Sequence, residues 1–235
     1  MSDEYRITSL VVKACSAEPA GARSQIMDSD SSDALPGARG DPDHGMRQRI
    51  LEATEARFRH YGYNKTTVAD IAGDLGISTA YVYKFFASKL AICEAIVGAM
   101  LNRIGEQLEA VATADMPASE RLRQLYKTVL EQSVALYFHE RKLHELVRVG
   151  LDARYAAVDR FKERIRSVAR MIVEAGRSAG EFETRTPIAD VVDGLWISLV
   201  PFAHPAVLEH LIDNVDMERH ARHMADLALR GMARN

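Results

Sequence analysis

Residues 78 to 86 read Ser78-Thr79-Ala80-Tyr81-Val82-Tyr83-Lys84-Phe85-Phe86, which crowds hydroxyls, phenols and an ammonium into little more than two helical turns. Val82 and Phe86 are four apart, so on a helix both face inward and leave Thr79, Ala80, Tyr81, Tyr83 and Lys84 outside. Folding gains little from such an exposed cluster. Phosphate oxygens, however, accept hydrogen bonds from Tyr, Thr and Lys, and small residues near a helix start, here Thr79 and Ala80, can approach base edges and thymine methyls. The chemistry in this segment is noncovalent recognition of a nucleic-acid duplex.

The neighbouring elements are those needed to hold such a helix out. Thr67-Val68-Ala69-Asp70 has the form of a capping box and predicts a helix from Val68, with Val68, Ile71, Ala72 and Leu75 on its apolar face and Gly76 at its end. Ser78 then caps a second short helix reaching Phe85 or Phe86. Two short helices around a glycine turn form a helix-turn-helix over about residues 67–86. Before it, Ile50, Leu51, Thr54, Phe58 and Tyr61 follow one face of a helix over about 47–61 that Gly62 ends. After it, Ser88 caps a fourth helix running to about Glu109.

The residues Ile50-Leu51-Glu52-Ala53, Phe58, Tyr61-Gly62-Tyr63, Thr66-Thr67-Val68, Asp70-Ile71-Ala72, Leu75-Gly76-Ile77-Ser78, Tyr81 to Phe86 and Ser88-Lys89 together resemble the DNA-binding domain of the TetR/AcrR family of bacterial repressors. The likeness spans about residues 47–100 and departs from the commonest pattern at Tyr81, where Thr is usual, and at Ala80, often Gly. By this resemblance Thr67, Tyr83 and Lys89 hold phosphates, and Ala80, Tyr81 and Phe85 lie closest to the bases; Ser78, Thr79 and Lys84 complete the expected DNA-binding set. The resemblance implies an all-α protein in which a three-helix DNA-binding domain over 46–104 precedes a helical effector-binding and dimerisation domain over 105–235.

Composition agrees with that class. The 235 residues are 47 % apolar and 27 % charged, with a net charge of −3. The charge is uneven: residues 46–90 carry 7 Lys/Arg against 4 Asp/Glu, whereas residues 1–45 carry 4 against 8. A basic segment in an acidic chain suits a phosphate-binding surface. No window approaches the roughly 18 consecutive apolar residues of a membrane span, and the acidic start Ser2-Asp3-Glu4 is unlike a secretory signal, so no membrane partner and a cytoplasmic location are expected. Cys15 and Cys93 lie far apart in dissimilar contexts and are expected to be free thiols. Residues 1–45, rich in Ser, Asp, Gly and Pro, are expected to form a disordered arm.

Beyond residue 100 the periodicity stays helical, with expected helices at about 119–138, 140–151, 154–178, from Thr186-Pro187 until Pro201 and Pro205 close it, and 217–232. Helices packed two by two around a two-fold axis must bury the same patch on both chains. The resemblance implies that the last two long helices pack against their symmetry mates, which makes Leu195 and Leu199, with Met224 and Leu227, the expected dimer face; the alternative is that both apolar stripes face the chain's own core. Phe138, His139, His144, Tyr155 and Trp196 are the expected effector pocket, the two histidines as polar anchors. His220 and His223 share a helix, but two ligands do not make a zinc site, and no nucleophile motif or phosphate loop occurs. Neither catalytic residues, nor a metal, nor a cofactor is expected. The expected partners are a near-palindromic DNA operator, a second copy of the chain and a small-molecule effector that releases a repressor; the alternatives are a constitutive DNA-binding dimer without effector, or an enzyme or adaptor that uses the helix-turn-helix for protein contacts.

Overall fold

The computed structural model describes residues 42–234, and the expected disordered arm lies outside them except at residues 42–45, which are helical rather than irregular. Within the described residues the helices are α1 (Pro42–Tyr61), α2 (Val68–Leu75), α3 (Thr79–Val82), α4 (Lys89–Thr113), α5 (Ala118–His139), α6 (Arg141–Asp152), α7 (Ala156–Ser178), α8 (Ile188–Ala203), α9 (Pro205–Leu211) and α10 (Met217–Gly231). No strand occurs among them, only one isolated bridge between Phe182 and Ala233.

The first three helices form where local chemistry starts and stops them. α1 begins about five residues before the expected position and ends at Gly62, whose φ of 82° lies in the left-handed region and whose N–H donates to the Phe58 carbonyl at 2.9 Å. Thr67 and Asp70 complete the capping box in both directions, and Gly76 at φ 66° closes α2. Ile50, Phe58, Val68, Ile71, Val82 and Phe86 are all buried and make the core of this unit. α3 is shorter than expected. After Val82 the chain tightens: Lys84 N–H reaches the Tyr81 carbonyl and Phe85 N–H the Val82 carbonyl, three residues back, before Phe86 restores a four-residue step to Val82.

The remaining helices build a second core. α4 lies along α7, α10 along α5, and α8 rests on α5 and α7. α4 is one continuous helix of 25 residues that runs through the expected boundary at residue 104. Close approach of α4 to α7 uses Gly105, where the Arg164 guanidinium crosses the helix to make two hydrogen bonds to the Glu109 carboxylate. Two expectations fail in the C-terminal part. Pro201 does not close α8 but sits inside its last turn, since only one ladder donor is lost so near the end and His204 N–H still reaches the Val200 carbonyl at 2.9 Å. Pro205 opens an extra helix, α9, bent 60° from α8. No single helix among the described residues is long and apolar enough to cross a membrane.

Candidate nucleic-acid interface

Ser78 places the recognition segment. Its Oγ accepts the Tyr81 N–H at 3.1 Å, which fixes the first turn of α3, while buried Val82 anchors the other side. Ser78, Ala80, Tyr83 and Lys84 are exposed, and Thr79, Tyr81 and Phe85 half-buried. Tyr83 keeps half of its surface open to solvent. The Tyr81 ring meets Phe85 edge-on at 5.3 Å and carries the Lys84 ammonium over its face at 5.3 Å, so these three side chains form one organised surface. Seven of the nine residues expected at the DNA thus lie together and accessible.

The other two have different employment. Thr67 Oγ1 accepts the Asp70 N–H at 3.2 Å and donates to Asp70 Oδ2 at 2.7 Å, so its one proton is already used. These bonds hold the Asp70 carboxyl below its usual range, with the Thr67 hydroxyl as the main cause. Lys89 is half-buried: its ammonium donates to the carbonyls of Tyr63 at 2.9 Å and Thr66 at 3.0 Å and lies 4.0 Å above the Tyr63 ring. It staples the α1–α2 loop to α4 instead of offering a free charge. Both residues hold the backbone around α2.

Sequence reasoning overlooked Arg47. Its guanidinium lies 4.7 Å over the Phe86 ring, which brings an exposed cation from α1 beside the recognition segment. The pairing of a basic α1 start with an aromatic cluster was the available signal. Arg57 behaves otherwise: it chelates Asp74 and joins α1 to α2.

The pocket expectations are mostly corrected. A cavity of about 40 Å³ lies among α4, α5, α6, α7 and the α8–α9 corner, and of the expected residues only His144 lines it. Phe138 and His139 are exposed at the end of α5, where the helix runs out. Tyr155 is buried against Gly150 with its hydroxyl 3.5 Å from the Leu90 carbonyl, and burial drives its phenol pKa up. Trp196 is half-buried beneath the Arg166 guanidinium at 5.6 Å.

The dimer-face expectation is also revised. Leu199 is wholly inside the protomer and Leu195, 4 % exposed, forms the floor of a groove of about 270 Å³ between α8 and α10. The apolar stripe of α8 therefore faces the chain's own core. Met224 and Leu227 do line the groove, and Leu227 and nearby Ile197 are 58 % and 65 % exposed.

Comparison with known proteins fits the two cores. Residues 50–96 match the family model for bacterial regulatory proteins of the tetR family, and residues 118–223 match the tetracyclin repressor-like C-terminal domain. The chain belongs to the TetR family. TetR-family transcriptional regulators bind DNA through their helix-turn-helix, the element that α2 and α3 form here. Among relatives, the regulator BetI of Serratia proteamaculans is 23 % identical over 64 % of this chain and 79 % of its own length. The repressor KstR2 of Mycobacterium tuberculosis is 24 % identical over 66 % of this chain and 80 % of its own. The fold is shared with SmeT, repressor of a multidrug efflux pump of Stenotrophomonas maltophilia, at a TM-score of 0.60, 19 % identity and coverage of 80 % and 91 %. FadR of Bacillus subtilis, solved with stearoyl-CoA, gives 0.57 at 16 % identity, covering 79 % and 98 %.

Proposed function

We propose that this TetR-family regulator is a homodimeric, sequence-specific repressor that a small-molecule effector releases from a near-palindromic operator. Residues 46–104 serve as the DNA-binding domain and residues 105–235 bind the effector and dimerise. The observation that carries the reading is the accessible surface of Ala80, Tyr81, Tyr83 and Lys84, held out by the Ser78 cap and the buried Val82. Two such helices bound to half-sites one helical turn apart, about 34–36 Å, read a palindrome. Exposed Leu227 and Ile197, with half-buried Met224, supply an apolar face that a second copy would cover. An effector acts by binding one arrangement of the helices better than the other.

Titration of the protein onto the DNA upstream of its own gene, over a range of salt concentrations, tests the reading. Tight binding with a steep salt slope and two protomers per site is expected. Equal affinity for that DNA and for a scrambled duplex would overturn it. One observation favours a second reading: at about 40 Å³ the cavity is small, which suits a dimer that binds DNA without any effector.

A further inference from the structure

The wall of the cavity restricts what can occupy it. Leu108, Val129, Phe161 and Ile165 supply apolar surface, Ser133 and His144 are the polar side chains, and no Asp, Glu, Lys or Arg lies among the described lining residues. His144 is 3 % exposed, and its Nε2 has no hydrogen-bond partner. The Tyr137 ring meets the imidazole edge-on at 5.2 Å and fixes its plane. A buried ring nitrogen without a partner costs free energy that a ligand oxygen would recover.

We propose that this cavity binds an uncharged, mostly apolar molecule carrying one hydroxyl or carbonyl oxygen, and that this oxygen hydrogen-bonds to Nε2 of His144. Calling the occupant an effector rests on the regulator reading above. Neutral imidazole suits either oxygen, since a ring nitrogen donates to a carbonyl in one tautomer and accepts from a hydroxyl in the other. Burial is the main influence keeping His144 neutral. The charges around it, Glu209, Arg148, Arg141 and Glu145, stay off the cavity wall, and Glu209 is paired with Arg148 at 3.0 Å and Arg141 at 3.9 Å. A carboxylate or ammonium entering here would lose its water and find no counter-charge.

The available 40 Å³ holds a water or two, so a larger occupant must displace a wall. The shortest walls are α9, with 7 residues, and α6, with 12. α6 carries His144, and the residues around its start hold the end of α1: Glu140 accepts from Arg59 at 2.6 Å, and Lys142 donates to the His60 carbonyl. Widening the cavity therefore pulls on the DNA-binding unit.

Calorimetric titration of the full chain with 1-octanol, octanoate and octylammonium tests the proposal. 1-Octanol is expected to bind, with both ions at least about ten-fold weaker. His144→Leu should weaken octanol binding about ten-fold, the effect of one lost hydrogen bond, whereas His144→Gln should stay within about three-fold. Octanoate or octylammonium binding as tightly as octanol would overturn the proposal, as would no binding of any probe, or a folded His144→Leu protein that binds octanol normally. Should His144→Leu fail to fold, the order of the three probes on the wild-type chain decides alone. The regulator reading fails separately, through octanol binding by a protein that binds no DNA. The cavity proposal fails with DNA binding intact.

Discussion

The Arg59 guanidinium donates to Glu140 Oε1 at 2.6 Å although 81 positions separate them in the chain. This contact joins the last turn of α1 to the start of α6, and the Glu55 carboxylate holds the other arm of Arg59 at 2.8 Å. Both partners are well solvated, so the pair contributes only about 0–1 kcal/mol to stability. Its value is positional. Arg59→Ala and Glu140→Ala should each change the unfolding free energy by less than about 1 kcal/mol. Hydrogen exchange at the end of α1 should nevertheless accelerate in both, and unchanged exchange would show that α6 does not restrain α1.

Lys84 and Lys89 should respond differently to removal. Lys84 is exposed, so Lys84→Ala should weaken binding to every DNA sequence alike and lower the salt slope by about one counterion. Lys89→Ala should instead destabilise the fold by about 1–3 kcal/mol, because it strips the carbonyls of Tyr63 and Thr66 of their donor. Thermal unfolding beside DNA titration separates the two. A Lys89→Ala protein of normal stability would return that residue to the phosphate contacts.

Leu199→Asp and Leu227→Asp separate core from interface. The first buries a carboxylate inside each protomer, where residue 199 is fully enclosed, and should unfold the chain. The second places the charge where the side chain is 58 % exposed, so a folded monomer is expected. Sedimentation should show this shift, with operator affinity falling by up to about 10²–10⁴. A Leu227→Asp protein that stays dimeric would move the interface off α10.

Acid should lower stability over two pH ranges with distinct causes. The folded His144 pKa is depressed by burial, so its neutral form suits the native state above the ordinary value of 6.5 and stability falls as pH drops below it. Asp70 is also depressed, chiefly by the Thr67 hydroxyl, and its contribution persists above 3.8 and is lost below. His144→Leu should flatten the upper range and Thr67→Ala reduce the lower, to which Asp74, Glu109, Glu181 and Glu183, also held below their ordinary range, contribute, while Thr67→Ala also costs about 0.5–2 kcal/mol at neutral pH through the lost cap. Denaturant midpoints across pH 2 to 8 read both slopes. An unchanged upper range in His144→Leu would remove His144 as its cause.

Some of this could be read from the chain and some could not, for reasons that differ by residue. Thr67, Asp70, Gly76 and Ser78 act on backbone groups within three or four positions of themselves, so their roles follow from local spacing. Lys89 binds carbonyls 23 and 26 residues away, and backbone carbonyls leave no mark in a sequence. Leu195 and Leu199 were correctly placed on an apolar stripe, but periodicity does not say whether a chain's own helices or a second copy covers it. α9 went unseen because 7 residues after a proline carry too short a pattern. His144 and Phe138 looked alike as pocket candidates until the end of α5 left Phe138 in solvent.

The unbroken run of α4 through residue 104 has a consequence for anyone recombining such regulators. The helix-turn-helix part and the C-terminal part are not beads on a string but two ends of one rod, so a hybrid must be spliced within a helix. One residue added or lost at the splice would turn everything beyond it by about 100° and shift it by about 1.5 Å. Arg59 on one side of the splice would then no longer meet Glu140 on the other. A working exchange must keep the residue count between Lys89 and Gly105 unchanged, and the length of that interval acts as a coupling gauge set by the helix itself.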